Sequence, residues 1–109
     1  MIEAILTAAG VDYAQGRFIR RPDGTYAVYF DNIETETADR VPGIAAPRIY
    51  THSVSVEVYE PMPDDATEAA IEAELDARGI PWSKQDRYWL KDLQRYQTVY
   101  DFEYTTKSK

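Results

Sequence analysis

His52 is the one histidine in the chain, and by strand parity it falls on the same side as Val54, Val56 and Val58. A lone imidazole can move a proton or join a metal site, but a histidine-type metal site needs further ligands, and the sequence around it offers none. A structural or subunit-contact role is the expectation for it. Asp64, Asp65 and Glu68 put three carboxylates within five residues, a composition that suits a hard cation. The same residues stand where a helix begins, and there side-chain oxygens and negative charge satisfy the first backbone N–H groups. Capping explains them without a metal. Glu34 and Glu36 share a strand face with Asn32, so a paired-carboxylate hydrolase is conceivable, although acidic residues on a solvated or partner-facing strand are commoner. Tyr96, Tyr100, Phe102 and Tyr104 form an aromatic file that could stack bases. No lysine or arginine is interleaved with them, so core or interface packing is the expected use. The chain has no cysteine, hence no disulfide framework and no thiolate nucleophile. Pro22-Asp23-Gly24 is a turn, and no GxGxxG or GxxxxGK[ST] phosphate loop occurs.

These residues need elements to hold them. Ile2, Ile5 and Leu6 recur at helical spacing and Gly10 offers a stop, so Ile2–Ala9 is expected to be a short helix. The stretch VDYAQGRFIRRPDGT reads as loop. TYAVYFDNIETET is rich in β-branched and aromatic residues and reads as a strand. ADRVPGIAAP, with Pro42, Gly43 and Pro47, reads as an irregular excursion, expected to be mobile in a monomer and to order against a neighbouring subunit or larger assembly through Val41 and Ile44. RIYTHSVSVEVYE alternates, with Val54, Val56 and Val58 on one side and Ser53, Ser55 and Glu57 on the other, as a half-buried antiparallel strand does. MPDDATEAAIEAELDARG carries caps at its start, alanines through its body, Ile71 and Leu75 four apart, and Gly79 past its end, so it reads as the long helix. Its apolar stripe is narrow and needs a sheet to lie on. IPWSKQDRYWL reads as a third strand, KDLQ as a turn, and RYQTVYDFEYTT as the last strand, with residues 105–109 as a frayed tail. The expected fold is a single α+β domain: a four-stranded antiparallel sheet with one long and one short helix on one face.

Composition bounds the rest. The chain has 109 residues, enough for one modest core. Nineteen acidic residues against twelve basic ones give a formal net charge of -7, which disfavours general nucleic-acid binding. No apolar run approaches a membrane span, and MIEAILTAAG lacks the basic region of a signal peptide.

The segment from Val54 to Tyr104 resembles small tail-terminator, tail-completion proteins of long-tailed bacteriophages and prophages. The matching residues are Val58-Tyr59, Glu72 to Leu75, Trp82 to Lys84, Trp89-Leu90, and Tyr96 with Tyr100. Upstream, YAVYFDN and the approach Ala38, Asp39 and Tyr50 are similar as well. The turn Leu93-Gln94-Arg95 departs from the pattern, which places a glutamate there. The resemblance implies a structural protein with no catalytic residues and no cofactor. It implies a ring, a hexamer, that caps the tail tube, ends its polymerisation and helps join tail to head. The implied partners are further copies of the chain, the tail-tube protein and a head-completion or connector protein, with no membrane and no specific nucleic acid. The implied location is the virion tail, and the host cytoplasm during assembly. Asp39, Val41, Ile44, Tyr50 and His52 are the expected interface residues. The rival readings are another neck or adaptor component and a small ligand-binding module or enzyme with a hidden acidic site.

Overall fold

The computed structural model describes residues 1–37 and 48–107. The fold is α+β: α1 (Ile2–Ala9), β1 (Asp12–Gln15), β2 (Tyr26–Thr37), β3 (Arg48–Glu60), α2 (Asp65–Ala77), β4 (Trp82–Lys84), β5 (Tyr88–Leu90) and β6 (Arg95–Lys107). The strands form one mixed sheet in the order β1-β2-β3-β6-β4, with β5 also on β6.

The sheet differs from the expected four antiparallel strands at both edges. On one side, Asp12–Gln15 is a strand rather than loop and pairs in parallel with residues 26–29 of β2, in the register Asp12↔Tyr26 to Gln15↔Tyr29. Four residues are too short for alternation to show, and parallel pairing is set by the packing of Val11 and Tyr13 against α1 and the sheet rather than by a turn. On the other side, the single strand expected at residues 80–90 is two short ones. Lys84 faces Tyr100 and Tyr88 faces Gln97, so four steps on one strand match three on the other. That one-residue excess is a bulge, and it reverses which side each residue faces. Trp82 thereby packs against the helix side of the sheet and Leu90 against the other side. Pairing of β6 with β3 continues through Thr105, Thr106 and Lys107, residues that the sequence places in a frayed tail.

Both helices lie on one face, as expected. Val54, Val56 and Val58 meet Ile71 and Leu75 there, with Ile5, Leu6, Tyr29, Tyr100 and Phe102 completing the core. α2 begins at Asp64, whose carboxylate accepts the Ala66 N–H at 3.0 Å and the Thr67 hydroxyl at 3.1 Å. It ends through Gly79, at φ 67, whose N–H returns to the Asp76 carbonyl at 3.0 Å; a left-handed residue there costs glycine nothing. A second, smaller cluster of Tyr26, Val28 and Tyr59 forms on the opposite face under Phe18, Leu90 and Leu93.

One length mismatch shapes the molecule. α2 and β3 have 13 residues each. At about 1.5 Å per helical residue and roughly 3.3 Å per strand residue, the helix is half as long as the strand. The helix layer therefore covers only the half of the sheet near Glu60, and β2, β3 and β6 run on beyond it. Along that extension β1 pairs only with Tyr26 to Tyr29, and β4 reaches only to Phe102. Residues 30–37 of β2 and 103–107 of β6 are thus without a neighbouring strand on their outer sides, among the described residues.

Candidate functional site

Two polar assemblies stand on the helix-bearing face, one at each end. The first lies at the joint between β3 and α2. Glu68 occupies a position on the helix stripe with Ile71 and Leu75 and is buried with them. Its carboxylate is met by Arg87 and, at 3.3 Å, by Lys84. Lys84 also reaches Glu72 at 2.9 Å, and the Tyr100 hydroxyl donates to Glu72 at 2.6 Å. The arginine's second contact is Asp65, at 3.1 Å. Glu68 is thus held by two cations beneath the helix, in contrast to the capping role expected for it; Asp64 alone makes the cap.

Behind this network sits Glu60, which is 0% exposed. One of its oxygens accepts the Asp64 N–H at 2.7 Å; the other, Oε1, is buried with no hydrogen-bond partner among the described residues, as is the Thr98 hydroxyl. Burial pushes the Glu60 carboxyl above the usual carboxylate range, against the lowering effects of the Asp64 N–H and the Arg87 charge. Burial also pushes the Tyr100 hydroxyl up, with its bond to Glu72 acting in the same direction. A raised carboxyl invites an acid–base reading. Yet Glu60 has no exposed surface from which to reach a substrate, and the carboxylates around it are occupied by Arg87, Lys84 and Tyr100. The arrangement locks the helix to the sheet.

The second assembly lies beyond the helices. His52 Nδ1 is 3.0 Å from Asp31, its Nε2 is 3.2 Å from the Thr106 hydroxyl, and its ring stacks on Tyr104 with centroids 4.4 Å apart. Aspartate, imidazole and hydroxyl in that order match the connectivity of a nucleophilic triad. Thr106 lies within an extended strand, paired with Tyr50, and among the described residues no turn or helix N-terminus there aims N–H groups at a developing oxyanion. These contacts tie β2, β3 and β6 together laterally, where among the described residues no helix covers them.

The expected interface residues divide accordingly. Tyr50 and His52 stand on this extension, half-buried. Asp39, Val41 and Ile44 lie outside the described residues. Asn32 and Glu34 are exposed on the opposite face; the Glu36 side chain is outside the described residues. Of the aromatic file, Tyr100 and Phe102 are core and Tyr104 stacks on His52, so they present no row of free rings for bases. Sequence reasoning missed Asp31, Thr106, Glu60, Glu72 and Arg87. Asp31 pairs with Val54 in the ladder, and His52 with Ile33, so the His52–Asp31 contact is diagonal and legible only once the register is known. The extension also exposes Phe30 and Ile33, at 45% and 53%.

No protein-family model matches the chain, and no curated protein matches it in sequence. Among solved structures, a protein known by a serial label alone is similar, with a TM-score of 0.60 at 15% identity, over 98% of this chain and 86% of that one. At that identity the likeness is one of fold. No helix of the described residues is long and apolar enough to cross a membrane.

Proposed function

We propose that the chain is a structural subunit of a long-tailed bacteriophage or prophage, one that caps the tail tube, ends its polymerisation and helps join tail to head. The observation that carries this reading is the uncovered extension of β2, β3 and β6. Among the described residues it has two outer strand sides without neighbours, exposed Phe30 and Ile33, and an internal brace through His52, Asp31 and Tyr104. Free strand edges and exposed apolar side chains are liabilities in a monomer and assets in an assembly. A subunit that offers unlike surfaces to its two neighbours closes a ring when the rotation between copies permits it. Such a ring works by shape, adding its own geometry to the end of the tube. Closure on the tube rather than in solution is compatible with this, because neighbours held on the tube raise each other's effective concentration.

The test is a phage or prophage lacking this gene. Tails of irregular, excessive length, or tails unable to join heads, are expected by electron microscopy. Tails of normal length joined normally to filled heads would remove the reading and shift weight to a ligand-binding role.

A further inference from the structure

We propose that residues 17–21 of one copy dock on the open, helix-free face of the sheet of a second copy, around Phe30, Asp101 and Glu103. The donor is the segment Arg17-Phe18-Ile19-Arg20-Arg21. It gathers three of the twelve basic residues of the chain within five positions. Arg17, Arg20 and Arg21 are exposed, and none has a salt bridge among the described residues, whereas Arg78, Lys84 and Arg87 all do. Ile19 stands between them fully in solvent, at 102%. Phe18 anchors the segment edge-on to Tyr26, ring centroids 5.4 Å apart, so the basic and apolar tip projects from a fixed base.

The acceptor is on the same face, farther along the strands. Phe30, Asn32, Ser53, Ser55, Asp101 and Glu103 line an open groove of about 490 Å³. Its floor is apolar at Phe30 and its rim is acidic. Among the described residues the Asp101 carboxylate receives a side-chain amide, from Gln85 at 3.4 Å, and Glu103 the Ser53 hydroxyl, at 3.3 Å. Neither carboxylate has a cation among the described residues. The two patches complement one another in sign and in apolar content, which favours and orients encounter. Within one chain the segment turns back rather than onward: Gly16 is bonded to Tyr29, but Phe18 packs on Tyr26 and Arg21 lines a separate recess with Tyr26, Glu57 and Tyr59, and none of its arginines pairs with Asp101 or Glu103 among the described residues. A second copy can bring the two patches together. The patches are unlike, so the contact can recur from copy to copy. It deepens the ring reading by naming one surface through which copies meet.

Intermolecular relaxation by a spin label tests this at the weak affinities that such contacts have. The chain has no cysteine, so Gly24→Cys supplies a unique attachment point. A Cβ at Gly24 meets nothing within 4 Å, and its backbone is outside the left-handed region. Spin-labelled protein at natural abundance is mixed with unlabelled-side-chain, ¹⁵N-enriched protein, and amide intensities are read. Selective loss is expected at Asn32, Ser53, Ser55 and Glu103. Asp101→Lys with Glu103→Lys in the enriched chain should abolish it, and Arg20→Glu with Arg21→Glu in the spin-labelled chain should then restore it. Unchanged amide shifts elsewhere establish that the variants fold. No selective loss, loss at other residues, or loss indifferent to the reversed charges overturns the contact. The result is separable from tail capping: the relaxation profile reads the contact in purified protein, and the gene deletion reads tail length whether or not this surface is used.

Discussion

The same three strands behave differently at their two ends. Near Glu60, the helix-facing positions are Val54, Val56, Val58, Tyr100 and Phe102, all 5% exposed or less beneath α1 and α2. Two residues farther along each strand, the same side carries Asp31, His52 and Tyr104, and then Ile33 and Thr106. Backbone pairing is continuous across the change; what alters is the layer above. Under the helices, lateral packing is hydrophobic and three elements deep. Beyond them, the strands are joined by a carboxylate–imidazole contact, a ring stack and a hydroxyl. One end of the sheet is packed under the helices and the other leaves Phe30 and Ile33 exposed.

The comparison breaks most sharply at Leu75, which is fully buried. Leu75→Ala should cost about 2–5 kcal/mol in chemical denaturation. A loss under about 1 kcal/mol would mean that the helix layer is not the core of this end.

Next in size is the ion network that fastens α2. Arg87→Leu leaves buried Glu68 with Lys84 alone. Because the arginine is partly exposed and one cation remains, the expected loss is about 1–3 kcal/mol, below that for a wholly buried pair. Adding Glu68→Leu should recover most of it, and a double-mutant cycle measures the coupling. Additive losses would show that the pair is not coupled.

Glu60 gives the comparison a pH signature. Its folded carboxyl titrates above its ordinary value of 4.5, so between that value and the raised one the folded chain binds more protons than the unfolded chain. Stability from this group therefore falls as pH rises through that window. Glu60→Gln keeps an acceptor for the Asp64 N–H and removes the buried charge. It should flatten this component of the stability–pH curve and leave the protein no less stable at pH 7. An unchanged curve would show that the carboxyl is not paying for its burial.

The smallest stability effect belongs to the open end. Ile33→Ala should change unfolding free energy by no more than about 0.5 kcal/mol, as surface substitutions generally do. Amide hydrogen exchange should likewise be faster at residues 30–35 and 103–107 than at 54–58. Equal protection at residues 30–35, 103–107 and 54–58 would erase the distinction between the two ends.

Much of the architecture was legible in the residues. Alternating valines identified β3 and its buried side, and Asp64, the alanines and Gly79 bounded α2, because these signals act over a few neighbouring positions. Ile71 and Leu75 gave the helix stripe, but its third buried member is Glu68, a residue that only Arg87 and Lys84 make tolerable there. β1 was invisible because four residues carry no period and parallel pairing leaves no turn to read. The split at residues 85–87 was invisible because a bulge is a property of two strands in register, and its reversal of sides sent Trp82 and Leu90 to opposite faces. The His52–Asp31 brace depends on a diagonal between neighbouring strands that joins two residues 21 apart in sequence. Local chemistry thus determined the elements, while register and the unequal rise of helix and strand decided which side chains meet, and how much of the sheet is left open.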